Sequence, residues 1–262
     1  MSDYYNPRRS RNMYDPRQTE PFRLSRSKVD LFINCPRCFY LDRRLGTDRP
    51  PGYPFSLNSA VDALLKKEFD VHRKNKTPHP LMKKFKIDAV PYAHPDMDIW
   101  RDTRKGITYK MPKTNLLITG AVDDVWINPL KQLYIVDYKA TAKQDEVTLD
   151  ADWQEGYKRQ LEIYQWLFRR NGFNVDPHGY FVYCNGDAGA DGFTEGKDGS
   201  RGCLNFRIKI IPYKGDDSWV SEVVMRAYKC LQSDKLPIAC SDCDYCKYRE
   251  AVTELEGELT KK

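Results

Sequence analysis

The 262-residue chain lacks several features that would narrow its role at once. It has no run of about 18 or more apolar residues, which excludes a hydrophobic helix long enough to span a bilayer. Its opening stretch, MSDYYNPRRSRNMYDPRQTE, has no apolar core of the kind a signal peptide needs, so a cytoplasmic location is expected. Histidine is scarce: His72, His79, His94 and His178 share no spacing, which argues against a histidine metal site. His94, in YAHPDMDIW, is the one near acids and reads as a polar loop residue. No internal repeat is visible, which excludes a solenoid or propeller. The excess of one charge is small, 43 Lys and Arg against 37 Asp and Glu, for a net +6. Such a balance is compatible with a polyanionic partner without requiring one.

What is present describes a globular chain, with 40% hydrophobic and 31% charged residues. Three regions are expected: a mobile basic tail over 1–22, one domain over 23–250 and a charged C-terminal tail over 251–262. Residues 24–46 read as two helical pieces either side of Pro36, with Ser25 or Ser27 as cap and Gly46 as stop. A helix is expected over 58–75, capped by Asn58, with Val61, Leu64, Leu65 and Phe69 on its apolar side. Residues 76–112 look irregular. Strands over 115–127 and 132–140, joined by NPLK, form an expected hairpin. Then come a helix over 152–171, a strand over 179–185, a Gly/Asp-rich loop over 186–202, a strand over 203–211 and a helix over 216–234. This order predicts an α/β fold, with helices flanking a mixed sheet of about four to five strands.

Within it, LYIVDYKAT places Asp137 and Lys139 two residues apart on a strand, hence on one face. The apolar run before Asp137 suits a strand buried on both faces, where an aspartate needs a partner or a metal. The preceding strand, ITGAVDDVW, offers a second carboxylate. Alternation lets only one of Asp123 and Asp124 face Asp137, and spacing alone leaves the choice open. Two carboxylates on neighbouring strands suit Mg²⁺ or Mn²⁺, which can activate water and neutralise phosphate charge. Lys139 could orient that water, and Gly120 would leave room for a backbone or phosphate to approach.

Eight cysteines are many for a cytoplasmic chain, where thiols stay reduced. Cys184, Cys203 and Cys230 are isolated and read as buried. The others form CPRC (Cys35, Cys38) and CSDCDYC (Cys240, Cys243, Cys246), two clusters with metal-ligand spacing near the chain's ends. Zn²⁺ and an iron–sulfur cluster both suit them. Either would join the N- and C-terminal segments.

Taken with KRQLEIYQW, the run GAVDDV…IVDYKAT resembles the PD-(D/E)XK nuclease superfamily, specifically its RecB-like branch. That branch carries G-x-x-D, then D-x-K, then Q-x-x-x-Y, here Gln160 and Tyr164, whose i, i+4 spacing shares a helix face. NCPRCFYL also fits the branch. NSAVDALLKKEF stands where its early helix would be, with Asn58 and Asp62 replacing the usual glycine and histidine. The resemblance implies a restriction-endonuclease-like core over 23–250 and favours Asp123 over Asp124. It implies a metal held by Asp123, Asp137, the Tyr138 carbonyl and Asp62, with Lys139, Gln160 and Tyr164 completing the site. The chain is also similar to CRISPR-associated adaptation exonucleases, whose [4Fe–4S] cluster implies Cys35, Cys240, Cys243 and Cys246 as ligands. Cys38 is extra to that pattern, and the two CxxC pairs form an alternative set.

The expected function is a Mg²⁺- or Mn²⁺-dependent deoxyribonuclease, of exonuclease type on single strands or ends, working among protein partners in a DNA-processing complex. The alternative is a non-catalytic nucleic-acid-binding or assembly module that retains the fold.

Overall fold

The computed structural model describes residues 8–52, 56–189, 192–195 and 199–260. Its contacts sort into two compact units. The described residues within 1–53, 108–119 and 218–262 form unit 1, and those within 54–107 and 120–217 form unit 2. In chain order the elements are β1 (Phe22–Ser25), α1 (Arg26–Asn34), α2 (Pro36–Arg43), α3 (Ser56–Asn75), α4 (Pro80–Lys84), β2 (Val90–Pro91), α5 (Met97–Arg101), β3 (Ile107–Lys110), β4 (Leu116–Gly120), β5 (Asp124–Ile127) and β6 (Leu133–Thr141). A short 3₁₀ turn (Asp152–Gln154) leads into α6 (Glu155–Arg170). Then follow β7 (His178–Gly186), β8 (Thr194–Glu195), β9 (Arg201–Gly202), β10 (Phe206–Lys214), α7 (Val220–Gln232) and α8 (Asp244–Leu259). No helix among the described residues is long and apolar enough to cross a membrane.

Unit 2 is built on a five-stranded mixed sheet in the order β10-β7-β6-β5-β2. Its central strand β6 runs parallel to β7 and antiparallel to β5. Alternation along β6 sends Val136 and Tyr138 into a core with Val61, Leu65 and Phe69 of α3. It turns Asp137 and Lys139 toward α6, where they meet Gln160 and Tyr157. The sheet thus separates α3 from α6. Phe69 stacks on Trp126 with ring centroids 5.4 Å apart, and Trp126 stacks on Tyr180 at 5.5 Å. These offset aromatic contacts fasten α3 to the sheet.

The stripe that α3 buries is Val61, Leu65 and Phe69, at i, i+4 and i+8. Leu64, expected on the same side, is one residue out of that row and is 64% exposed. Asn58 is not the helix cap, since α3 already includes Ser56. Its amide instead donates to the Ala140 carbonyl at 3.1 Å, tying α3 to the end of β6.

The expected strand over 115–127 is two strands. β4 pairs in parallel with β1 in a three-stranded sheet, whereas β5 joins the five-stranded one. Between them α5 captures the backbone: the Val122 amide donates to the Trp100 carbonyl at 3.0 Å, and Arg101 Nε donates to the Asp123 carbonyl at 3.0 Å. Backbone groups spent on α5 cannot continue a sheet ladder. The stretch over 76–112, expected to be irregular, holds α4, β2, α5 and β3. The expected loop over 186–202 contains the short β8–β9 pair, and its residues 190–191 and 196–198 lie outside the described residues.

In unit 1, α1 stops at Asn34 and α2 begins on Pro36, whose missing amide hydrogen is harmless at a first helical position. Cys35 caps α2, its Sγ accepting from the Cys38 amide at 3.5 Å. Of the tail expected over 1–22, residues 1–7 lie outside the described residues. The remainder is anchored rather than loose. Tyr14 is 1% exposed and meets Phe22 edge-on at 5.2 Å, and Arg9 pairs with the buried Asp42. At the other end α8 carries the chain to Leu259, so most of the stretch expected as a tail over 251–262 is helical.

Candidate active site

Asp123 stands at the bend before β5, not within a strand. Its Oδ2 accepts from the Tyr138 backbone amide at 2.8 Å, so its carboxylate reaches the residue next to Asp137. Asp137 is fully buried. Its Oδ1 accepts from Gln160 Nε2 at 2.6 Å, and its Oδ2 pairs with Lys139 Nζ. Gln160 Nε2 also donates to the Tyr164 hydroxyl at 3.3 Å. Asp62, on α3, pairs through Oδ2 with Lys66 Nζ at 2.7 Å, and the same ammonium lies 3.5 Å from Asp123 Oδ1. The structure therefore brings Asp62, Asp123, Asp137, Lys139, Gln160 and Tyr164 to one end of the sheet. The Tyr138 side chain does not join them. Its hydroxyl donates to Asp124 Oδ2 at 2.7 Å on the α3 side, and only its backbone serves the site.

Burial alone would pull the Lys139 ammonium toward neutrality. The carboxylates of Asp137 and Asp123 outweigh that and hold its pKa above the ordinary lysine value. The Asp62 pKa is raised as well, which for a carboxylate favours the neutral form. Burial pushes its pKa up, Lys66 offsets part of this, and the charge of Asp123 pushes it further. One Asp62 oxygen, Oδ1, is buried with no hydrogen-bond partner among the described residues. An orphaned carboxylate oxygen beside a second carboxylate is the donor set a hard divalent cation takes. Lys66 supplies positive charge at that place.

The residues that sequence reasoning missed lie behind this cluster. Asp124 is fully buried, paired with Arg73 and, at 3.2 Å, with Arg101. Arg101 in turn holds Asp70 at 2.8 Å and the Asp123 carbonyl. The Asp-Asp doublet was visible in the sequence. The arginines sit on separate helices with no spacing to betray them. Asp124→Ala should leave the buried guanidinium groups of Arg73 and Arg101 with the half-exposed Asp70 as their shared carboxylate partner, and cost about 3 kcal/mol. Urea unfolding measures this, and a loss below about 1 kcal/mol, as for an exposed pair, would contradict it. Gly120 also departs from expectation. A Cβ there would stand 2.7 Å from the Tyr164 ring and 2.8 Å from Leu167, so the glycine admits α6 rather than a phosphate.

A second cluster lies in unit 1. The Sγ atoms of Cys35, Cys38, Cys243 and Cys246 all fall within 4.8 Å of one another, and all four residues are buried. Cys38 lies 3.6 Å from Cys243 and 3.7 Å from Cys246, and Cys35 lies 3.8 Å from Cys246. A tetrahedral ion with sulfur ligands at about 2.3 Å needs S···S edges of about 3.8 Å. Cys240 stays outside the foursome and is partly buried against it. Burial raises the Cys35 thiol, but the backbone amides of Cys240 and Cys38 more than offset it and bring its pKa to about 6. Arg49 Nη2 approaches Cys243 Sγ at 3.3 Å, a positive charge suited to a thiolate. Of the isolated cysteines, Cys184 is buried, whereas Cys203 and Cys230 are only partly so.

No curated protein matches the chain. Among solved structures, the crystal structure of SSO0001 is similar over 84% of this chain and 82% of that chain, at 15% identity and a TM-score of 0.36, which is too distant to carry weight. The model of the PD-(D/E)XK nuclease superfamily matches residues 57–251, well over half of the sequence. That match spans the three carboxylates, the lysine and the α6 pair. The chain therefore belongs to the PD-(D/E)XK nuclease superfamily.

Proposed function

We propose that the chain is a Mg²⁺- or Mn²⁺-dependent deoxyribonuclease of the RecB-like branch, acting as an exonuclease on single strands or ends. The observation that carries this reading is the meeting of Asp62, Asp123 and Asp137 with Lys139 at one end of the sheet, with an Asp62 oxygen left unsatisfied. Those three carboxylates and the Tyr138 carbonyl would hold the cation. When bound, it lowers the pKa of a water and neutralises charge on the phosphate. Lys139, kept charged by its neighbours, orients the attacking water and donates to the phosphate. Gln160 fixes the Asp137 carboxylate, and Tyr164 fixes Gln160. Lys66, freed from Asp62 and Asp123, gains a second phosphate contact. The thiolate centre is structural, and its S···S edges favour one tetrahedral ion, zinc, over a cluster with its thiolates on separate irons.

Incubating the purified protein with Mn²⁺ and labelled single- and double-stranded DNA tests the reading. Metal-dependent shortening of the strands is expected. Salt-dependent binding without cleavage would instead mark a non-catalytic binding module.

Lys66 offers a separate check, because its ammonium competes with a cation for Asp62 and Asp123. Lys66→Met should tighten Mn²⁺ binding by about tenfold in calorimetric titration. Unchanged or weaker binding would show that the ammonium does not compete.

A further inference from the structure

We propose that Trp153 and Tyr157, with Lys143, form a subsite that stacks an unpaired nucleobase beside the scissile phosphate. This deepens the nuclease reading and rests on it. Trp153 is 56% exposed, unusual for the largest apolar side chain and unexplained by the core. Two lysine–aromatic pairs run in series from the carboxylates. Lys139 Nζ lies 4.4 Å from the centre of the Tyr157 ring, and Lys143 Nζ lies 4.8 Å from that of Trp153. The two rings meet edge to face at 5.5 Å and 85°. A continuous row of cation and ring thus starts at the ammonium that pairs with Asp137.

The row is built on buried supports. Gln154, 1% exposed, donates to the Thr148 carbonyl at 2.6 Å and accepts from the Ala151 amide at 3.0 Å, pinning the turn that presents Trp153 outward. Asn185, 6% exposed, holds Lys143 by both backbone groups, accepting from its amide at 2.8 Å and donating to its carbonyl at 2.9 Å. Both polar side chains are buried with their hydrogen bonds made, so they hold the exposed Trp153 ring and the half-buried Lys143 in fixed positions, as a binding surface requires. Two adjoining rings flanked by ammonium groups suit a single strand: every base has a face to stack, and the backbone has a charge to neutralise. Inside a duplex, paired and stacked bases leave no face for Trp153.

The test measures binding of the full-length protein to a short oligothymidylate and to a blunt duplex, without added divalent cation so that cleavage does not intervene. Trp153→Ala should weaken oligothymidylate binding by about tenfold while leaving duplex binding within about twofold of the parent. Trp153→Phe, which keeps a stackable ring, should retain the affinity but lose the fluorescence quenching that the oligonucleotide causes in the parent. With a strand of abasic spacers the parent and Trp153→Ala should bind alike. Equal losses on single strand and duplex, no loss on either, or a difference that persists on the abasic strand would overturn the proposal. Failure of the parent to cleave with Mn²⁺ would instead count against the nuclease reading and leave these binding curves as they stand.

Discussion

Asp137→Asn is expected to reduce metal-dependent cleavage by about 10³-fold or more, because it removes a carboxylate from the proposed cation site and disturbs the lysine beside it. An asparagine can still accept from Gln160, which bonds one oxygen of the native side chain at 2.6 Å. Its amide nitrogen, however, would face the Lys139 ammonium, donor against donor. Lys139 is only 14% exposed at its side chain and owes its charge chiefly to Asp137 and then to Asp123. Without Asp137, burial has less opposing it and the lysine pKa falls. The native lysine contributes stability that is fully present below its unfolded value, near 10.5, and lost only as pH rises through its higher folded value. In Asp137→Asn that loss should begin at lower pH, so the variant's urea midpoint should decline earlier on the alkaline side. Lys139→Ala should lose cleavage by a similar factor. Cleavage retained in both variants would remove this cluster from the chemistry.

Replacing Cys38 by serine is expected to release the ion proposed at the four cysteines and unfold unit 1. Structural zinc sites contribute on the order of 10 kcal/mol, comparable with the roughly 5–15 kcal/mol of net stability in a whole domain. Cys38 is the sensitive probe, since its sulfur lies within 3.7 Å of both Cys243 and Cys246. Cys240→Ser is the control. It should keep the ion, because Cys240 stands outside the foursome. Elemental analysis of parent and variants, paired with limited proteolysis, reads both outcomes. One zinc per chain in the parent, lost in Cys38→Ser and kept in Cys240→Ser, is the expected pattern. Iron with a visible absorption band, retained in Cys38→Ser and lost in Cys240→Ser, would establish the cluster set instead.

Much of the fold was legible because it depends on local period. β6 was readable from its apolar run, and the i, i+2 relation of Asp137 and Lys139 follows from strand geometry alone. The i, i+4 relation of Gln160 and Tyr164 follows from helix geometry in the same way. The CxxC spacing by itself marks two pairs of thiols as candidate ligands. The expected strand over 115–127 failed because its break comes from α5, whose Trp100 and Arg101 take the backbone groups of residues 122 and 123. Nothing in the strand's own residues announces that. The tail over 8–22 looked disordered by composition, yet Arg9 meets Asp42 and Tyr14 fills a space beside Phe22. Composition describes what a segment can do alone, and here a partner supplied the missing burial.

The sequence by itself determined which side chains share a face: Asp137 with Lys139, Gln160 with Tyr164, and the sulfurs within each CxxC turn. Such relations span a few residues and follow from backbone period. Only the tertiary structure decided which of two adjacent aspartates approaches the β6 site. A bend turns Asp123 to the Tyr138 amide, while Arg73 and Arg101 draw Asp124 into the core. It also decided that Cys38 rather than Cys240 joins the cysteine foursome, and that Asp62 reaches Asp123 through Lys66. Each of these outcomes depends on charges or sulfurs far apart in the chain, whose meeting is set by packing and desolvation rather than by spacing.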